Sequence, residues 1–102
     1  MIKYAFITFE WDDAKAESNQ KKHGVSFTEA STVFYDPYAI VVDDEPHSYD
    51  EERFIIVGVS AVAHVLTVCH CYRQTNEVIR IISARKATKN EENSYWRYRN
   101  ES

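Results

Sequence analysis

Residues 53–60, 64–73 and 77–84 are three runs rich in strand-forming apolar side chains. Only Ala61-Val62-Ala63 and Gln74-Thr75-Asn76 separate them. A parallel pairing needs a crossover of about a dozen residues or more, so these segments are confined to an antiparallel meander. Along Val78-Ile79-Arg80-Ile81-Ile82 both alternating faces carry apolar residues, which marks a strand covered on each side rather than an edge.

The flanking sequence supplies helices. Residues 5–9 read as a short strand, after which Asp12 can N-cap a helix running to His23. Gly24 offers the left-handed residue that ends it, with Lys21, Lys22 and His23 well placed against the helix dipole. This helix is polar, with little beyond Trp11, Ala14 and Ala16 to bury. Ser26-Phe27-Thr28-Glu29 has the form of a capping box, and the shorter helix it opens stops at Asp36-Pro37. Residues 38–42 read as a strand, and 43–52, interrupted by Pro46, as a loop. Thr88-Lys89-Asn90-Glu91 opens a terminal helix that carries Tyr95 and Trp96. The expected class is α+β, an antiparallel meander sheet packed on one face by two N-terminal helices and a C-terminal helix.

At 102 residues the chain is expected to form one domain over 1–102. No apolar run approaches the roughly 20 residues of a membrane span. Met1-Ile2-Lys3-Tyr4 leads into a strand-like segment rather than a signal peptide, so a cytoplasmic protein is expected. Cys69 and Cys71 are alternate residues of one strand, a geometry that disfavours a disulfide, and His70 between them projects from the other face. No second ligand pair at zinc spacing accompanies them, and neither metal nor cofactor is expected.

A net charge of −4 does not advertise nucleic-acid binding. The distribution is uneven, however. Asp36, Asp43, Asp44, Glu45, Asp50, Glu51 and Glu52 place acid in the middle of the chain, while Arg80, Arg85, Lys86, Lys89, Arg97 and Arg99 outnumber the acids after residue 76.

Three segments carry a family resemblance: Phe9-Glu10-Trp11-Asp12, Lys22-His23-Gly24-Val25-Ser26-Phe27, and Ile81-Ile82-Ser83-Ala84-Arg85-Lys86-Ala87-Thr88. With Glu29-Ala30, Val33-Phe34-Tyr35-Asp36-Pro37 and Glu52-Arg53 between them, the chain resembles the BrnT toxins in order from Phe9 to Tyr95. The resemblance implies a RelE-like ribonuclease that stops translation. It also implies a BrnA-like antitoxin with a ribbon-helix-helix DNA-binding domain, and a toxin–antitoxin heterotetramer. The acidic balance departs from the neutral or basic character expected of such toxins.

RNA is cut without a metal when its own 2′-hydroxyl attacks the adjacent phosphorus, given proton transfer and cations on the developing charge. Arginine suits the charge role because its planar fork matches phosphate oxygens. Arg53, Arg80 and Arg85 lie on or beside the meander. Arg80, set among Val78, Ile79, Ile81 and Ile82, needs a compensating partner: a phosphate, or an ion pair with Glu52, Glu77 or a helix carboxylate. His23 is the candidate for proton transfer, against a simple capping role. Lys22 and Lys86 are candidate phosphate contacts, and Arg85 and Lys86 precede a helix N-terminus that favours anions. Tyr95 either stacks on an unpaired base or pins the last helix to the sheet. His47, His64 and His70 read as structural. The nuclease reading requires an open cationic concavity and is opposed by guanidinium groups locked in internal ion pairs. Two other classes fit the same pattern: a non-catalytic module that docks a protein, and a RelE-fold toxin acting on gyrase.

Overall fold

The computed structural model describes residues 7–44, 51–73 and 77–102. The expected strand start at residues 5 and 6, most of the acidic loop with His47, and the Gln74-Thr75-Asn76 turn lie outside the described residues. The elements are β1 (Thr8–Glu10), α1 (Asp13–His23), α2 (Phe27–Thr32), a 3-10 turn (Val33–Tyr35), β2 (Ile40–Asp43), β3 (Phe54–Val59), β4 (Val65–Arg73), β5 (Val78–Lys86) and α3 (Lys89–Glu101).

Local chemistry sets the helix ends. The Asp12 carboxylate accepts the Lys15 N–H at 3.0 Å, and Gly24 closes α1 at φ 70° with its N–H on the Gln20 carbonyl. Ser26 caps α2 through the Glu29 N–H. The Glu29 carboxylate does not reach back; it takes the Ser60 hydroxyl at 2.7 Å instead. Of the two expected boxes, the Thr88 and Glu91 pair is the one completed.

The sheet runs β1-β5-β4-β3-β2. Neighbours from β2 to β5 are antiparallel, but β1 lies parallel to β5, so the sheet is mixed rather than wholly antiparallel. Three strand residues do not encode their own direction; β1 takes it from the way the chain leaves through α1. Val25, Phe27, Ala30 and Val33 pack on Ile56, Leu66, Val68, Ile81 and Ala84 to form the core, and Trp11 meets Phe27 edge-on at 5.9 Å.

Polar α1 buries one side chain, Asn19. Because β1 pairs with β5 only from Val78 to Arg80, the edge of β5 beyond that point needs another partner. Asn19 supplies it: its amide donates to the Ala84 carbonyl at 2.8 Å and accepts the Ala84 N–H at 3.1 Å, and it also donates to Val25. Asn19→Ala leaves these buried groups unsatisfied. We expect a loss of about 2 kcal/mol, read as a lower urea midpoint at unchanged m-value.

The register between β4 and β5 breaks once. Cys69 faces Ser83 and His70 faces Ile81, so Ile82 has no opposite residue and forms a β-bulge. In a regular strand, positions five apart point to opposite faces. Here Arg80 pairs with Cys71 and Arg85 with Thr67, and both arginines face away from the helical core. Ile81 and Ala84, three apart, both face into it.

The expectation that all helices cover one face is corrected by α3. Its first turn is bound through Glu91 to Thr67 and Arg85 on the face opposite α1 and α2. Tyr95 is fully buried and donates to Asp36 at 2.5 Å. The same carboxylate accepts the Val59 N–H at 2.8 Å and the Tyr38 N–H at 2.9 Å. Burial pushes the Asp36 carboxyl up, but these hydrogen bonds outweigh it and hold the group below the usual range.

Candidate functional site

On the face away from α1 and α2, a cleft of about 250 Å³ opens between β3, β4 and β5, lined in part by Asp44, Arg53, Thr67, Cys69, Ser83 and Arg85. The pleat puts Thr67 and Cys69 on this face, and the bulge at Ile82 keeps Ser83 and Arg85 beside them. Arg53 arrives from the start of β3, where its carbonyl accepts the Asp44 N–H at 2.8 Å.

Arg85 is held end-on. Its Nη1 and Nη2 donate to the two oxygens of Glu91 at 2.8 and 3.0 Å, and Nη1 also donates to the Lys86 carbonyl at 3.3 Å. Glu91 in turn accepts the Thr67 hydroxyl at 2.9 Å and the Thr88 N–H at 2.8 Å. Arg85 is the main reason that the Glu91 carboxyl titrates at about 2. Of the five guanidinium N–H donors, three are engaged among the described residues. The Nε–H and one Nη2–H remain along one edge, and the side chain is 38% exposed. An anchored fork with a spare edge suits an anion with two oxygens.

Both thiols are held away from the thiolate form. Burial and the Asp44 carboxylate, to which Cys69 donates at 3.6 Å, push the Cys69 thiol up to about 11. Cys71 is raised by burial and by Glu51. Both point away from His70, which is buried on the core side.

Of the expected site residues, the cleft unites Arg53 and Arg85. Arg80 shares their face but sits at the β1 side, donating to Glu10 at 2.7 Å. That partner was not among the carboxylates weighed for it, because it follows from the parallel pairing of Glu10 with Arg80. His23, half-buried, and exposed Lys22 close α1 and do not line the cleft. Lys86 stands opposite Leu66 and lines a second cleft with His64 and Trp96. Tyr95 cannot stack on a base: its ring is inside the protein and its hydroxyl is engaged by Asp36 and Arg99. His64 meets Glu29 at 2.9 Å.

Sequence reading missed Glu91 as a site residue. Its capping box was visible, but the pairing with Arg85 depends on α3 turning back over β4 and β5. Asp44, Thr67 and Ser83 carried no signal beyond alternation.

A family model described as "Ribonuclease toxin, BrnT, of type II toxin-antitoxin system" matches residues 11–91. The fold is similar to the crystal structure of the Brucella abortus ribonuclease toxin BrnT, at 24% identity and a TM-score of 0.62, covering 81% of this chain and 99% of that one. No curated protein matches.

Proposed function

The chain belongs to the BrnT family of ribonuclease toxins of type II toxin–antitoxin systems, and we propose that it cuts RNA at the cleft between Arg53 and Arg85. The observation that carries this reading is that Arg85, anchored bidentately by Glu91 with its Nε and one Nη2 donor to spare, lines a concavity that Arg53 lines as well.

In the proposed reaction the substrate's own 2′-hydroxyl attacks phosphorus, with no metal required. The O2′–P bond forms as the P–O5′ bond breaks, giving a 2′,3′-cyclic phosphate, and the departing 5′-oxygen takes a proton from water to leave as a hydroxyl. Arg85 and Arg53 hold the non-bridging oxygens as charge grows on them, and the Thr67 and Ser83 hydroxyls border the same space. We assign the 2′ proton to Asp44, the carboxylate among the residues lining the cleft. His23 lies outside the cleft and has no role in this scheme. Arg80 and Lys22 are assigned contacts with RNA beyond the cleaved phosphate.

Membership in a type II family implies an antitoxin partner. We take this to be a BrnA-like protein with a ribbon-helix-helix domain, assembled with the toxin as a heterotetramer, and the consequence of cleavage to be arrest of translation. A RelE-like fold over one domain, acting in the cytoplasm, completes the proposal. No helix among the described residues is long and apolar enough to cross a membrane.

The test is RNA cleavage by the purified protein in EDTA. Products with 2′,3′-cyclic phosphate and 5′-hydroxyl ends are expected. RNA left intact in EDTA but cut on adding magnesium would remove the metal-independent mechanism, and RNA intact in both would remove the nuclease reading.

A further inference from the structure

We propose that the cleft between the β3–β4 turn, the end of β5 and α3 is a subsite for an unpaired nucleotide of the RNA, its base stacked on Trp96 and its phosphate on Lys86. This rests on the ribonuclease reading and deepens it, since it identifies single-stranded rather than paired RNA as the substrate at this point.

The cleft measures about 320 Å³, and His64, Lys86, Glu92 and Trp96 are among the residues lining it. Trp96 is 39% exposed, unlike its buried neighbour Tyr95. Tyr95 meets the indole in a T-shaped contact at 5.1 Å, and the Arg99 guanidinium lies over the ring at 5.3 Å. The indole is therefore held in place before any ligand arrives, which limits the ordering cost of stacking.

His64 adds a polar edge. Its Nδ1 faces the Glu29 carboxylate at 2.9 Å, which leaves the Nε2 edge of the ring for a polar group of a base. The side chain is 52% exposed. An apolar partner surface would leave His64, Lys86 and Glu92 unmatched, whereas a nucleotide offers a π-face, polar base edges and an anion.

Position argues the same way. Lys86 follows Arg85 in the chain, so the two clefts adjoin at the end of β5. Arg85 projects to one side of β5 with Thr67, and Lys86 to the other with Leu66. A backbone gripped at Arg85 thus meets Lys86 by passing around the strand end.

The experiment measures binding of a short fluorescein-labelled 2′-O-methyl RNA of randomised sequence, which lacks the attacking hydroxyl, to the full-length protein. Trp96→Ala weakens binding by about tenfold and Trp96→Tyr retains it, since any aromatic face supports stacking. Lys86→Gln lowers the slope of log affinity against log salt by roughly 0.7, the share of one phosphate contact on a single strand. Val62→Ser, exposed in the same turn but outside the cleft lining, binds like the parent. Circular dichroism verifies the fold of each variant, and Lys86→Gln stands alone if Trp96→Ala does not fold. Parent-like RNA binding by both Trp96→Ala and Lys86→Gln overturns the subsite. So does a loss confined to antitoxin binding, which would make this a protein-docking surface. A parent that binds this RNA yet cleaves no unmodified RNA defeats the ribonuclease reading while leaving the subsite to the variant ratios. A parent that binds no RNA defeats both.

Discussion

Replacing Arg85 with Gln is expected to lower RNA cleavage by roughly two to three orders of magnitude, the usual consequence of deleting one oriented donor at a developing oxyanion. The substitution removes both the charge and the Nε–Nη2 edge. It leaves α3 in place, because Glu91 still accepts from Thr67 and from the Thr88 backbone. The ion pair is partly exposed, with side chains at 38% and 28%, so solvent screening keeps its contribution to stability well below what the shift of Glu91 alone would suggest. A folded but inactive variant is therefore the predicted phenotype, with growth inhibition lost and antitoxin binding kept. Arg85→Lys separates charge from geometry: a point charge cannot face Glu91 and two phosphate oxygens at once, and it restores only part of the rate. Undiminished cleavage by well-folded Arg85→Gln would take the reaction out of this cleft.

The ion pairs also bear on how an acidic protein could handle RNA. Glu10, Glu51 and Glu91 contact Arg80, Arg73 and Arg85 respectively, so part of the acidic surplus is placed where it orients arginines rather than where it meets solvent alone. A carboxylate that holds a guanidinium end-on reduces its net charge but fixes its direction. On the proposed reading the cleft works less through a broad positive field than through a few oriented donors, and long-range steering of RNA is expected to be weak.

Alternation and turn length were enough to pair β3, β4 and β5, since gaps that short admit no crossover. Asp12, Gly24 and Thr88 announced helix ends by local chemistry that needs no tertiary context. What escaped depended on distant partners. The bulge at Ile82 has no local signature in an apolar run, yet it decides that Arg80 and Arg85 share a face. Asn19 looked like one more polar residue of a polar helix until the bare edge of β5 was seen beside it. For Tyr95 and Trp96, an aromatic pair fixed the presence of a packed helix but not which ring would be inside, and the Asp36 hydroxyl partner settled that. Of the site, the arginines were legible as residue types, while their grouping into Arg53 with Arg85, apart from Arg80, was not.

His70 is expected to make the protein lose stability in mild acid. Its ring is fully buried among Phe34, Phe54 and Tyr72, and among the described residues its Nε2 has no hydrogen-bond partner. Burial lowers its titration from 6.5 to about 4, against a small opposing pull from the Val68 carbonyl. The unfolded chain therefore takes up a proton as pH falls through 6.5, while the folded protein does so only near 4. Stability is full above 6.5, falls across that window and levels off below it, a loss of about 3 kcal/mol from this one group. Glu91, depressed from 4.5 to about 2 chiefly by Arg85, adds a further loss at lower pH, so the two contributions separate on the pH axis. His70→Phe removes the ionisable ring and the unsatisfied nitrogen while retaining its aromatic surroundings. Urea unfolding between pH 7 and 4.5 should show a falling midpoint for the parent and a nearly level one for this variant. A parent midpoint that is level across the same range would mean that the buried imidazole accepts its proton without unfolding, and would remove His70 as the origin of acid sensitivity.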